Sequence, residues 1–384
     1  MKTVCLIHRG GVPWIMPIVR WEAEALRDAG YRVSMSTMAP KQGTGEHIPG
    51  IHLKMLGLIT RRLPKHPICF VIKYVEFTVR SIVFGLKNRS DLYVAHDIDT
   101  AIPGYILSKL TGARLVYYSI ELYAERPGVP LRKLGRLLDK WFLKRVDTTI
   151  ACEPNRAKFM AEEYGAPEPP LVVMNVPPYE TPRTSTKLRD VLKERGIDAS
   201  KIALYQGMIS EIRCVREFIQ AGKFLDDGIV LVIIGRVVNH PIEYWTSTIA
   251  RDGVEGNVVL LPPVLPEDLK EITASADIGL QLQYNVGANS YCCAPIKLFQ
   301  YLMAGLPVVA CDFPGMRQIV EGEGVGICVS PKNPEQIAAA INRLCADEAL
   351  YSRMKGNALR VAKEKYNWGV ESRKILDLFE RLSS

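Results

Sequence analysis

In the stretch "PIKLFQYLMAG" (295–305), a lysine, a glutamine and an alanine recur at i, i+3 and i+7 as Lys297, Gln300 and Ala304. Ile296, Phe299 and Met303 make an apolar stripe at the same spacing, and Leu298 with Leu302 makes another. A cation beside the free N–H groups of a helix start can hold phosphate, while an amide reaches hydroxyls. The plainer reading is a solvated lysine and a glutamine at the core edge. A second set lies in "AHDIDT" (95–100), where His96 closes a strand pattern and Asp97 and Asp99 read D-x-D. Two carboxylates alone make a poor metal site, so no metal is expected, and Asp97 reads as a cap or an acceptor-side contact. Glu121 and Glu125, at i, i+4, either flank a binding site or are ordinary surface acids.

These residues need a scaffold, and the chain alternates short apolar runs with helical patterns. Pro295 suits a first helical turn, where its missing N–H has no intrahelical partner, and Gly305 suits a left-handed stop. Strand runs are "TVCLIH", "YRVSMS", "LYVAH", "RLVYYS", "TTIAC" and "LVVMN" in the first half. The second half has "IALYQG", "IVLVIIG", "NVVLL", "IGLQLQ", "PVVAC" and "GICVS". Strands separated by helices predict parallel sheets covered on both faces. Between the halves, "VPPYETPRTSTKL" is rich in Pro, Ser and Thr and reads as a linker. The expected organisation is an N-terminal doubly wound domain over 1–178, completed by a last helix over 371–384, then a linker over 179–200 and a second such domain over 201–370. Ligand is expected in a cleft at the carboxyl ends of the two sheets, and helix N-termini there favour a phosphate-bearing one.

The length of 384 residues fits two domains, and 48% hydrophobic with 23% charged residues is the balance of an ordinary globular protein. The opening "MKTVCLIHRGG" has too short an apolar core for a signal peptide, so the chain is expected to be cytoplasmic. Nine cysteines include no C-x-x-C pair, so neither a disulfide framework nor a zinc site is expected. The net charge of +8 is concentrated: residues 54–89 carry eight Lys or Arg against Glu76, and 131–146 carry six against Asp139. An anionic partner is expected there. No nucleic-acid-binding signature accompanies the charge. Basic residues mixed with large apolar ones fit the inner leaflet of a membrane, or else surface helices with solvated lysines and a core-facing stripe. In "ICFVIKYVEFTVRSIVFGL" (68–86), Lys73, Glu76 and Arg80 form one polar stripe, so this helix is amphipathic and does not span.

The run "APIKLFQYLMAGLPVVACDFPGMRQIVEGEGVGICVSP", with "YQGMISEIRCVREFIQAGKFL" before it, resembles the donor-binding half of GT-B glycosyltransferases of the family 4 type, in particular bacterial surface-polysaccharide enzymes. The resemblance extends to "RGGVP", "RWEAEALRDAGYRV" and "AHDIDTAIPGYILSKLTGARLVYYSIELYAE". It implies the GT-B fold, two Rossmann-like domains facing a cleft. It makes Arg213 and Lys297 the cations on a donor diphosphate, after the turn at Gly207, and puts Gln300 where relatives carry a ribose-binding glutamate. The first glutamate of that E-x7-E pattern falls at Cys292. Met208 stands where many relatives have an arginine, which removes one phosphate contact. The loop over 284–291, including Ser290 and Tyr291, would hold the sugar through backbone amides, and backbone near Gly235 would hold the base. Gly10 and Gly11 match a glycine loop that lets backbone approach the donor phosphate. His96 matches a histidine near sugar and acceptor, with Asp97 and Glu121 on the acceptor side.

What the resemblance implies is a retaining hexosyltransferase. It would use a UDP- or GDP-sugar, without a required metal or cofactor, on a lipid-linked or membrane-associated glycan acceptor. Gln300 and Cys292 in place of two glutamates raise a second reading, a catalytically silent binding or scaffold subunit. A third is a nucleotide-sugar epimerase on the same fold.

Overall fold

Runs of β-branched and aromatic residues form strands because such side chains pack well on a pleated, buried surface. The computed structural model describes residues 2–10, 16–39, 47–64, 66–129 and 132–382. It divides into two units, the first comprising Met1–Val176, Gly287–Asn289 and Trp368–Ser384, the second Pro177–Val286 and Ser290–Asn367.

Unit 1 is built on β1 (Thr3–Ile7), β2 (Arg32–Met38), β3 (His52–Leu56), β4 (Leu92–His96), β5 (Arg114–Ser119), β6 (Thr148–Ala151) and β7 (Leu171–Val172). All pairings are parallel, in the order β3-β2-β1-β4-β5-β6-β7. Between them run α1 (Pro17–Asp28), α2 (Pro67–Lys87), α3 (Ala101–Thr111), α4 (Arg132–Leu143) and α5 (Pro154–Tyr164). Side chains alternate across the sheet, so Val4, Leu6, Val94 and Val116 enter one core while Cys5, Ile7, Tyr93 and Ala95 enter the other. Phe77 and Phe84 of α2, Leu107 of α3 and Phe142 of α4 fill the second core. Position 85 is glycine for a packing reason: a Cβ there would stand 2.4 Å from Leu107, so α3 could not approach α2. The strand β3 is absent from the sequence expectations, because "HLKML" is half-exposed and carries no continuous apolar run.

Unit 2 repeats the plan with β8 (Lys201–Gln206), β9 (Ile229–Ile234), β10 (Val258–Leu261), β11 (Ile278–Gln281), β12 (Val308–Cys311) and β13 (Gly326–Val329). They form a parallel sheet ordered β10-β9-β8-β11-β12-β13. Its helices are α6 (Lys187–Glu194), α7 (Val215–Ala221), α8 (Ile242–Asp252), α9 (Pro266–Ala274), α11 (Ile296–Met303), α12 (Pro314–Val320), α13 (Pro334–Ala346) and α14 (Glu348–Glu364), while the short α10 (Ala288–Tyr291) has its first two residues in unit 1. The expected linker over 179–200 therefore contains a helix, α6, whose Leu188 and Leu192 are buried. Its Leu188 and Arg189 amides both donate to Ser275 Oγ at the end of α9. Two apolar residues four apart were hidden among polar neighbours. The chain then returns to unit 1 for α15 (Trp368–Leu382), where the Trp368 indole donates to the Trp21 carbonyl and the Met174 amide donates to Glu371.

Both sheets reverse strand order beside their first strand, between β1 and β4 and between β8 and β11. In open parallel sheets, ligands bind outside the carboxyl ends of the strands at that point. All nine cysteines are unbridged.

Candidate functional site

In unit 2 the carboxyl end of β8 is Gln206, followed by Gly207 with φ +141°. Gly235, after β9, has φ +153°, and a Cβ on it would lie 1.7 Å from the Gly207 carbonyl oxygen. Only glycine allows the two turns to touch here. A Cβ on Gly207 would in turn lie 3.1 Å from Lys297 Nζ, so the Lys297 amine lies directly against this turn.

Lys297 sits in the first turn of α11, whose cap is Pro295 rather than a residue before it. Gly305 ends the helix in the left-handed conformation, φ +72°. The ammonium lies 4.0 Å from the centre of the Tyr205 ring, a cation–π geometry. Burial, and then the neighbouring Arg213 charge, push the basicity of Lys297 well below the usual lysine range. Arg213 closes the short turn Glu211–Arg213 and donates to Gln283 Oε1. Gln283 Nε2 donates onward to the Ser290 carbonyl and to Cys293 Sγ, both at 2.9 Å or less. The arginine thus spends a hydrogen bond on a neutral amide, and no carboxylate is among the main influences on Lys297. Two cations held close together repel, and a bound anion offsets that repulsion.

Gln300 accepts at 2.9 Å from Gln206 Nε2, while Gln206 Oε1 accepts from Thr273 Oγ1 at 2.8 Å. This arrangement engages the Gln300 carbonyl oxygen and leaves its NH2 group to offer. Tyr291 is 39% exposed and meets the Phe313 ring at a tilt, and Ser290 Oγ accepts from the Val286 amide. Cys292 is buried. Met208 is exposed, and its carbonyl accepts from the Tyr205 hydroxyl. Sequence reasoning missed Tyr205, Gln206 and Gln283; the available signal was their position at the carboxyl ends of β8 and β11.

In unit 1 the end of β1 brings His8 and Gly10 beside His96 at the end of β4. His96 is fully buried: Nδ1 lies 3.3 Å from the Ile7 carbonyl and Nε2 lies 2.6 Å from Glu22 Oε2 on α1. Both ring nitrogens are therefore engaged internally. His8 meets His96 edge-on at 5.7 Å, and burial together with His96 pushes its pKa down to about 3, so His8 is neutral. Gly10 packs on His8, a Cβ there lying 2.9 Å from Nε2. Gly11 lies outside the described residues. Asp97 has φ +60°, unusual for a residue with a side chain, and its Oδ1 accepts from the Ile120 and Glu121 amides at 2.8 and 2.9 Å. Burial and the Asp99 charge nevertheless raise Asp97 well above the usual carboxylate range. Asp99 pairs with Arg9 at 3.5 Å, and among the described residues no three His, Cys, Asp or Glu side chains converge to hold a metal. Glu121 pairs with Arg126 at 2.8 Å near the surface. Its neighbour Glu125 is instead buried under Arg132, Arg136 and Tyr164, a structural anchor for α4. Sequence reasoning missed Glu22, which carried no signal beyond its place on the buried face of α1.

The unit 2 geometry sets a pH dependence. An anion on Lys297 raises its pKa again, so binding takes up a proton above the free-state pKa and weakens as pH rises through it. Inorganic pyrophosphate titrated calorimetrically in buffers of different ionisation heat is expected to show this uptake in the wild type. Lys297→Met is expected to lack it, and equal uptake by both proteins would remove Lys297 from the anion site.

Residues 200–347 match the family model described as glycosyl transferases group 1, and residues 15–177 match the glycosyl transferase 4-like domain. Together the two take in most of the chain. An uncharacterized glycosyltransferase of Methanocaldococcus jannaschii is 28% identical over 48% of this chain and 45% of its own length. Two D-inositol 3-phosphate glycosyltransferases also match. The one from Xylanimonas cellulosilytica is 24% identical over 66% of this chain and 61% of its own length. The one from Paenarthrobacter aurescens is 25% identical over 91% and 88%. The chain thus spans about half the length of the first relative and most of the last. Among solved structures, sucrose-phosphate synthase from Thermosynechococcus elongatus superposes with a TM-score of 0.78 at 18% identity, covering 100% of this chain and 99% of that one. HepE of Anabaena in complex with UDP gives 0.76 at 14% identity, covering 99% and 100%. These likenesses identify the fold as GT-B.

Proposed function

The chain belongs to the glycosyl transferases, through a group 1 match in unit 2 and a 4-like match in unit 1. From that premise we propose that it transfers a sugar, with retention, from a nucleotide-diphosphate sugar to a lipid-linked or membrane-associated glycan. The observation that carries this is the pair Arg213 and Lys297, close enough for one charge to depress the other, with Lys297 against the glycine turn at Gly207. The diphosphate occupies the cationic site, and the Gln300 NH2 and backbone near Gly235 meet the nucleoside. As the sugar–phosphate bond breaks, both cations and the first amides of α11 offset the charge gathering on the leaving oxygen. The acceptor hydroxyl gives its proton toward the departing phosphate. His96, with both nitrogens committed, holds the end of β1 in place and does not exchange protons with substrate. Asp97 and Glu121 stand on the acceptor side. The UDP bound by HepE supports a uridine donor over a guanosine one. The basic segments 54–89 and 131–146 support an anionic membrane surface as the place of action.

Incubation with UDP-, GDP- and dTDP-sugars, read first as a rise in melting temperature and then as transfer or hydrolysis, tests the proposal. Stabilisation followed by transfer is expected. Stabilisation with no turnover on any acceptor would mean a scaffold subunit. An altered nucleotide sugar formed without acceptor would mean an epimerase.

A further inference from the structure

The apolar face of α2 is turned the wrong way for a helix that only packs on its own sheet. Phe77, Ser81 and Phe84 face the core. On the opposite face Ile68, Val71, Ile72, Val75, Val79 and Val83 are between 43% and 65% exposed. They follow a helical spacing, making one uncharged stripe about 22 Å long at 1.5 Å per residue. The polar stripe of Lys73, Glu76 and Arg80 is held along the flank. Lys73 Nζ donates to the Leu63 and Pro64 carbonyls, and Glu76 accepts from the Ile59 and Thr60 amides, the Thr60 hydroxyl and Arg80. Burial raises the Glu76 carboxyl, but these hydrogen bonds outweigh it and bring its pKa down to about 2. The helix is therefore locked with its apolar side outward.

The neighbouring helices continue this surface. On α4, Leu134, Leu137 and Trp141 are 49%, 64% and 40% exposed, and Trp141 meets Tyr105 of α3 at 5.1 Å. Lys133 and Lys140 of α4, Lys144 just after it and Lys87 of α2 are exposed. The two carboxylates on α2, α3 and α4 are both withdrawn: Glu76 as described, and Asp139 buried, accepting from the Tyr117 hydroxyl. These three helices thus present apolar side chains and ammonium groups, with no exposed carboxylate among their described residues. A second copy docked by symmetry would set this cationic face against itself. Nucleic acid would leave the valine stripe uncovered. An anionic bilayer meets both properties, with acyl chains taking the stripe and headgroups the lysines.

We propose that unit 1 docks on anionic lipid through the outward apolar face of α2, flanked by α4, with α2 lying in the plane of the interface. This rests on the reading above that the acceptor is membrane-associated, and it changes the contact from basic segments alone to an inserted apolar stripe.

The full chain is sedimented with vesicles of phosphatidylcholine, with and without phosphatidylglycerol, at low and high salt. Wild type is expected on the phosphatidylglycerol vesicles, with part of the binding surviving high salt. The variant Ile72→Gln/Val75→Gln/Val79→Gln changes only exposed positions to a good helix former. It is expected to lose binding by at least about tenfold and to release fully in salt. Leu134→Gln/Leu137→Gln is expected to lose it in the same direction and serves if the first variant melts early. Wild-type binding by both variants, or no vesicle binding by wild type, overturns the proposal. So does a wild-type dimer that the α2 variant splits, which would make the occupant a second copy. The UDP-induced melting shift, read on the same proteins, reports on unit 2. A vesicle failure with that shift intact sinks only this inference.

Discussion

Arg213→Ala is expected to reduce transfer, as kcat/KM, by roughly 10²- to 10³-fold and to weaken UDP binding in parallel, the cost typical of removing one preorganised donor from developing charge. Lys297→Met is expected to lose a comparable amount, since each group supplies a full positive charge to the same diphosphate. The two changes differ in their effect on the empty protein. The Lys297 amine is disfavoured as a cation by burial and by Arg213, and no carboxylate offsets that among its main influences. Replacing it with a neutral side chain of similar length is expected to leave the melting temperature of the ligand-free protein unchanged or to raise it. Activity and stability then move in opposite directions, which is the signature of a functional rather than a structural cation. Differential scanning calorimetry with and without UDP, beside steady-state kinetics, measures both. UDP affinity unchanged in either variant would dismantle the diphosphate site, and with it the sugar-transfer reading.

The second large effect belongs to unit 1 and to stability. Glu22 and His96 are both fully buried, with 2.6 Å between Oε2 and Nε2. Breaking such a pair by removing one partner costs about 3–5 kcal/mol, because the other polar group is left buried without compensation. Glu22→Ala is therefore expected to lower the melting of unit 1 by roughly 6–20 °C, at about 2–4 °C per kcal/mol for a unit of this size. Glu22→Gln keeps a carbonyl oxygen for the imidazole and is expected to lose less. In both variants UDP should still stabilise unit 2. A Glu22→Ala protein that melts with wild type would show that the pair contributes nothing to holding the ends of β1 and β4.

The two sheets were legible from the chain alone because a strand buried on both faces must be a short continuous apolar run, and those runs alternate with helical patterns. The helix stop at Gly305 was equally legible and takes φ +72°, which other residues adopt only under strain, whereas the positive φ of Gly207 and Gly235 was not read from the chain. The strip of Lys297 and Gln300 was legible too, since helical spacing fixes which side chains share a face. The β3 strand escaped notice because an edge strand need not be continuously apolar, and α6 because two buried leucines leave a faint period in a polar segment.

Three things were decided only by folding. Arg213 and Lys297, far apart in sequence, meet because β8 and β11 are neighbours and both strands end on the same edge. His96 is sealed by Glu22, 74 residues earlier, because α1 crosses the end of β4; a strand-end histidine looks the same in sequence whether it is open or closed. The face that α2 turns outward was also undetermined, since periodicity defines two faces without saying which one the sheet accepts. Shape chose it. Phe77 and Phe84 fill the second core and Gly85 admits Leu107, and the valines opposite were left to meet whatever lies outside.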